Sequence, residues 1–215
     1  MNAAKFTVHT LRLHELSFER NNRFLFQSIS CKLSQGDVLQ VRGANGSGKS
    51  TLLRILAGYI QVEKNALQWN DQCISEQLDT YQQKLHYLGH QNGIKTGLTV
   101  EENLRLNLAL SSKNNFDEIQ SASEKVGLNH LLKTPANLLS AGQSRRLALA
   151  RFLLNPLQIW ILDEPATALD TAGQDVLNHL LKAHQANGGI LIIATHQNLT
   201  WVSDIKTIFL GGYDD

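Results

Sequence analysis

One short run limits the fold more than anything else in the chain: Gly43-Ala44-Asn45-Gly46-Ser47-Gly48-Lys49-Ser50, which fits G-x-x-x-x-G-K-[ST]. Residues 37–41 read as a short buried strand leading into it. From Lys49 onward, Leu52, Leu53, Ile55 and Leu56 recur at helical spacing until Gly58 offers a C-cap. Strand, glycine-rich loop and helix in that order begin a crossover unit, which directs the chain to an α/β fold with a parallel sheet. The loop also carries chemistry. Its glycines let backbone N–H groups converge on phosphate oxygens, and the helix N-terminus adds a positive dipole end. Lys49 is placed for β- and γ-phosphates, Ser50 for Mg²⁺, and Thr51 for a further phosphate contact. A chance glycine-rich turn could imitate the motif, but the flanking strand and helix argue against that.

The remaining pattern fits a core with additions. Leu11, Leu13, Leu16 and Phe18 alternate loosely with polar residues, as does the stretch 24–33, and both read as strands of a half-exposed antiparallel sheet. Residues 85–88 read as another strand. Thr99 to Glu102 has capping-box spacing, and Leu104, Leu106 and Leu108 continue into a helix. The chain is then polar and helix-prone to Leu138. Ser140 starts a helix that Asn155-Pro156 stops. Strands at 159–162 and 190–194, with a helix from 171 to about 185 between them, continue the parallel alternation. The expected organisation is a single domain over 1–215. Its α/β core with the antiparallel subdomain comes from 1–91 and 156–215, and a helical subdomain covers about 92–155.

Bulk properties narrow the function classes. A chain of 215 residues is long enough for one α/β domain with a subdomain, and 42% hydrophobic residues supply a core. A net charge of +1 without a basic stripe speaks against nucleic-acid binding. Cys31 and Cys73 are far apart and lack metal-ligand spacing, so both read as buried small hydrophobes in a reducing compartment. No secretory signal is visible, and the apolar runs are too short to span a bilayer, so the expected location is cytoplasmic.

The second piece of chemistry is Ile159-Trp160-Ile161-Leu162-Asp163-Glu164. A buried parallel strand delivers Asp163 at its C-terminal end, where open α/β sheets bind ligands. Asp163 can hold Mg²⁺ through its water shell, and Glu164 can polarise a water aimed at the γ-phosphate.

With both pieces in place the chain resembles the ABC ATPases along nearly its whole length. Leu139-Ser140-Ala141-Gly142-Gln143 resembles the family signature, Gln91 occupies the position of the Q-loop glutamine, Ala168-Leu169-Asp170 resembles the D-loop, and His196 resembles the switch histidine. The resemblance implies a P-loop NTPase of ABC type that binds ATP and Mg²⁺ and works as a homodimer. In it, Ser140, Ala141, Gly142 and Gln143 would face the nucleotide of the opposite subunit, and Asp170 would sit at the interface. Lys49, Gln91, Glu164 and His196 would be catalytic, with Ser50, Gln91 and Asp163 around the metal. Two positions depart from the family pattern. Ala141 stands where a glycine is usual, and a positive φ there would cost about 1 kcal/mol. Arg20 falls near the position of the usual adenine-stacking aromatic, with Phe18 and Phe24 close by; its planar guanidinium can stack on a base.

DNA-maintenance ATPases of this fold carry a long coiled coil between Q-loop and signature, whereas here only 92–138 intervenes, without sustained heptads. Translation-associated relatives hold two such domains in tandem. A binding-only subunit is disfavoured by Lys49, Glu164 and His196 together. The run from Gly89 to Thr99, with Leu-Ser-Ala-Gly-Gln at 139–143 and Thr195-His196-Gln197, resembles the ATPase subunits of cytochrome c maturation (haem export) complexes. That resemblance implies CcmB- and CcmC-like transmembrane partners at the cytoplasmic face of a bacterial inner membrane; the alternative is the ATPase of another small exporter, for lipid, polysaccharide or drug. The histidines at 9, 14, 86, 90, 130, 179 and 184 form no haem site by spacing and read mostly as surface residues.

Overall fold

The computed structural model describes residues 9–109 and 116–211. The chain divides into two compact units: residues 1–89, 157–164 and 181–215 in one, and 90–156 with 165–180 in the other.

The first unit holds two sheets. β1 (Thr10–Arg20) and β2 (Arg23–Ser34) form a long antiparallel hairpin joined by Asn21 and Asn22, both at positive φ (54° and 59°). Asparagine tolerates that conformation, and a two-residue hairpin of type I′ requires it twice. The register slips between Leu13 and Leu16 and again between Leu16 and Phe18. Serine hydroxyls accept the amides at the irregularities, Ser30 Oγ from Glu15 N and Ser17 Oγ from Ser28 N, each at 2.9 Å. β4 (Leu67–Trp69) and β5 (Gln72–Cys73) extend this sheet through a second two-residue turn, Asn70-Asp71, giving the order β2-β1-β4-β5.

The second sheet is wholly parallel. It comprises β3 (Val38–Gly43), β6 (Leu85–Leu88), β7 (Ile159–Asp163), β8 (Ile190–Ala194) and β9 (Lys206–Leu210) in the order β6-β7-β8-β3-β9. β7 and β8 are buried at every residue, which is why they read as unbroken apolar runs. The helix α1 (Lys49–Leu56) buries Leu52, Leu53, Ile55 and Leu56 in a core shared with Leu39, Val41, Ile161 and Ile192. It ends as expected at Gly58. The Gly58 and Tyr59 amides donate to the Ile55 and Arg54 carbonyls, a Schellman pattern, with Gly58 at φ 73°. The fully buried Tyr81, on the short helix α2 (Leu78–Gln82), donates its hydroxyl to the Leu56 carbonyl at 2.6 Å and so satisfies a helix-end acceptor.

In the second unit lie α3 (Val100–Ala109), α4 (Phe116–Lys125), α5 (Ala141–Leu154) and the first part of α6 (Thr171–Ala186). The capping box at Thr99 is formed: Thr99 Oγ1 accepts from Glu102 N at 3.2 Å, and Glu102 Oε2 accepts from Thr99 N at 2.7 Å. The α/β class and the mixed pair of sheets agree with the sequence reading. That reading misses β4, β5 and β9, which are short or partly polar.

Two side chains sit differently from expectation. Cys73 is buried, but Cys31 is only half-buried on β2. His184, near the end of α6, is 5% exposed and stacks on Trp160 of β7 with ring centroids 4.1 Å apart and planes 14° from parallel. A methyl group on Gly189 would overlap the imidazole, so only glycine fits there. Burial lowers the His184 pKa from 6.5 to about 4. The unfolded chain therefore takes up a proton before the native state does, so native stability present above pH 6.5 falls as pH drops towards about 4. At 1.36 kcal/mol per unit the loss is about 3 kcal/mol. Replacing His184 with Phe, which keeps the stack, should flatten that part of a urea-denaturation series between pH 7 and pH 4; an unchanged pH dependence would show that His184 is not its source.

Candidate functional site

The C-terminal ends of β3, β7 and β8 converge because their register is fixed. Ala194 pairs with Val41 on one side and with Asp163 on the other. Backbone bonds carry the alignment past the strands, from Glu164 N to Ala194 O at 2.9 Å and from Thr195 N to Val41 O at 3.3 Å. Residues 43–51, 163–164 and 195–198 consequently emerge from one edge of the sheet, where open α/β sheets place ligands.

The glycine-rich loop is built for close approach. Gly43 has φ 150°, and a Cβ there would lie 2.2 Å from the Leu210 carbonyl oxygen and 2.5 Å from Ser47 Oγ. Gly46 and Gly48 lie in the left-handed region at φ 85° and 97°. Gly48 caps α1 without any side-chain bond, which leaves the first amides of the helix to a ligand. Ser47 Oγ is buried without a hydrogen-bond partner. Lys49 is 8% exposed and folds back to donate Nζ to the Gly43 and Ala44 carbonyls at 2.7 and 2.9 Å. Ala44, Asn45 and Gly46 are exposed, and Ser50 and Thr51 are half-buried at the start of the helix.

Asp163 closes β7 at 1% exposure. Glu164 follows with φ 45°, a conformation that a non-glycine residue holds only when its surroundings enforce it. Its Oε1 lies 3.6 Å from His196 Nε2. The histidine loop is gripped by two side chains on one face of β3. Gln40 Nε2 donates to the Gln197 carbonyl at 2.8 Å, and Arg42 Nη2 donates to Asn198 Oδ1 and, at 3.5 Å, to the His196 carbonyl. The sequence reading misses both supports. The visible signal is a buried glutamine inside the apolar run of β3, where only a committed hydrogen bond makes burial tolerable.

The set fits the groups it was expected to hold. An uncapped helix start, an orphaned buried hydroxyl and glycines whose side chains would fill the cradle suit a triphosphate. The Ser50 hydroxyl and the Asp163 carboxylate are oxygen donors of the kind Mg²⁺ takes.

The other expected residues lie in the second unit or on the hairpin. Gln91 is exposed in the loop after β6. Ser140 caps α5 through a reciprocal box, its Oγ accepting from Gln143 N at 3.2 Å while its own N donates to Gln143 Oε1 at 2.9 Å. Ala141 opens the helix with ordinary helical backbone and is absent from the positive-φ residues, so the cost expected there does not arise. Gly142 is the position that must stay bare, since a Cβ would stand 2.8 Å from the Ala168 carbonyl oxygen. Asp170 caps α6 by accepting from Gly173 N at 2.9 Å and pairs with Arg146 at 2.8 Å; the Gly173 amide first, then the Arg146 charge, lower its pKa. Arg20 ends β1 opposite Arg23, exposed beside the hairpin turn, with the exposed Phe24 next on β2.

A parallel sheet whose strand ends carry this loop, an Asp-Glu pair and a histidine defines a P-loop nucleoside-triphosphate hydrolase. The ABC transporter family profile matches residues 26–167. The chain is 42% identical over 209 residues to the cytochrome c biogenesis ATP-binding export protein CcmA of Haemophilus influenzae, spanning 97% of this chain and 98% of that one. It is 44% identical over 190 residues to the protein of the same name from Vibrio cholerae, covering 88% and 92% of the two chains. A solved putative ABC transporter ATP-binding protein from Pyrococcus furiosus superposes with TM-score 0.81 at 28% identity, covering 94% of this chain and 97% of that chain. The chain belongs to the ABC transporter ATPase family: it is an ATP-binding, ATP-hydrolysing subunit that works with transmembrane partners. Among the described residues, no helix is long and apolar enough to cross a membrane.

The contrast between Ala141 and Gly142 is testable. Gly142→Ala should lower ATP turnover at least tenfold, because the signature must move away from the Ala168 carbonyl; a near-attack geometry displaced by about 1 Å costs up to about 10² in rate. Ala141→Gly should leave turnover within about twofold, since it keeps the backbone N–H and the helical conformation and costs only helix propensity. Equal activities of the two variants in a steady-state phosphate-release assay would contradict this account.

Proposed function

We propose that the chain energises a cytochrome c maturation export complex, as a homodimer bound to CcmB- and CcmC-like transmembrane subunits at the cytoplasmic face of the inner membrane. The observation that carries this assignment is the match to the Haemophilus influenzae CcmA protein, at 42% identity over 97% of the chain. Within that complex the reaction is in-line transfer of the ATP γ-phosphoryl group to water.

The chemistry rests on the pairing of Glu164 with His196 at 3.6 Å on adjacent strand ends. Glu164 orients the attacking water and accepts hydrogen bonding from it. His196, exposed on its gripped loop, contacts the γ-phosphate. Lys49 exchanges its two carbonyl contacts for β- and γ-phosphate oxygens, while the amides of residues 43–51 surround the phosphates. Ser50 and Asp163, with Gln91, would hold Mg²⁺, which when bound would supply positive charge to offset that on the phosphates. Ser140, Ala141, Gly142 and Gln143 bind the nucleotide of the opposite subunit, Asp170 lies at the subunit interface, and Arg20 stacks on adenine. Hydrolysis then requires dimer closure, because each site draws its signature residues from the partner.

Glu164→Gln should keep ATP binding and lower turnover by about 10²–10³-fold. Nucleotide binding and phosphate release measured on the same preparation check this, and robust turnover would remove Glu164 from its role. Tagged Glu164→Gln captured from native membranes with ATP should bring down CcmB- and CcmC-like proteins. Recovery of a different transmembrane subunit would leave the hydrolysis chemistry standing and reassign the complex to another exporter.

A further inference from the structure

A single buried guanidinium holds the residues that follow both Gln91 and Glu164 in the chain. Arg145, on α5, is 3% exposed. Its Nε donates to the Pro165 carbonyl at 3.1 Å and its Nη1 to Asn92 Oδ1 at 2.9 Å. Arg151 on the same helix adds a second grip on that segment, Nη2 donating to the Asn92 carbonyl at 2.6 Å and Nη1 to the Gly93 carbonyl at 2.8 Å. Asn92 is thus held by its side chain and by its backbone from one helix, the helix that opens with the signature.

A buried charge is retained only where its hydrogen bonds are made, so Arg145 enforces the position of its acceptors rather than following them. The guanidinium is a rigid plane with donors at fixed angles, which sets the separation between Pro165 O and Asn92 Oδ1 in a way that a flexible ammonium could not. The residue before Pro165 is the strained Glu164 at φ 45°. Its own amide is fixed to the Ala194 carbonyl at 2.9 Å, and the carbonyl one residue downstream is fixed to Arg145. Such strain persists only when both sides are held.

We propose that Arg145 is a positioning residue for ATP hydrolysis. It fastens to the signature helix the residue after the Q-loop glutamine and the residue after the water-orienting carboxylate. Nucleotide binding at the glycine-rich loop does not depend on it. The proposal rests on the roles given above to Gln91 and Glu164.

The test uses the full chain co-expressed with its transmembrane partners. It compares Arg145→Met, Arg145→Lys, Asn92→Ala and the double variant Arg145→Met/Asn92→Ala, with Glu164→Gln in parallel. Arg145→Met should lower kcat by about tenfold to a hundredfold with KM for ATP unchanged, the cost of misplaced catalytic groups. Arg145→Lys should fail to rescue, because it keeps the charge without the fork. Asn92→Ala should show part of the loss, and the double variant should be no worse than Arg145→Met alone. Wild-type kcat in Arg145→Met beside an inactive Glu164→Gln would overturn the proposal, as would a loss confined to thermal stability with kcat per folded molecule intact. If Arg145→Met does not fold, Asn92→Ala decides: an unchanged kcat overturns the proposal. Full turnover in Glu164→Gln would instead show that the underlying assignment of the carboxylate is wrong.

Discussion

The alignment of three parallel strands governs everything that follows in this molecule. Ala194 sits between Val41 and Asp163, and the backbone bonds beyond it tie Glu164 to β8 and Thr195 to β3. A slip of one residue between β7 and β8 would turn Asp163 to the other face and move Glu164 away from His196, and one between β3 and β8 would displace the glycine-rich loop from both. Such a slip is opposed by complete burial on both faces, because every residue of β7 and β8 would have to find a new apolar site. The geometry of the candidate site and the core packing are therefore enforced by the same interactions.

The loop that precedes α1 depends on that alignment in a second way. Gly43 lies against the carbonyl of Leu210, at the end of the neighbouring β9, so the path of the loop is set by a strand far along the chain. Lys49, turned back on the Gly43 and Ala44 carbonyls, closes the loop on itself. The helix that follows has apolar contacts on its buried side and uncapped amides at its start, so the packing that holds the helix also aims its positive end.

Much of this is readable from the residues alone. The buried strands, the helix between Lys49 and Gly58, the capping box at Thr99 and the helix start at Ser140 follow from period and cap chemistry. What the residues do not disclose is mostly short or long-range. β4 and β5 are three and two residues long and derive their pairing from β1 and from the Asn70-Asp71 turn. β9 shows no continuous apolar run, because as the edge strand it leaves Thr207 and Phe209 exposed. The ordinary backbone at Ala141, against the bare position required at 142, depends on where residue 168 approaches, and no local pattern encodes that. Likewise His184 reads as one polar residue near a helix end until its stack on Trp160 is seen.

The grip of β3 on the histidine loop has a bearing on speed. Gln40 and Arg42 hold the loop through carbonyls and through Asn198, while the imidazole itself remains 55% exposed. The polypeptide is pinned there and the ring is left to turn. Any exchange of partners by His196 then needs only a rotamer hop, on the picosecond-to-nanosecond scale, whereas a lid that closes as a loop takes microseconds to milliseconds. A rotor on a fixed mount can change partners without any movement of the chain that carries it.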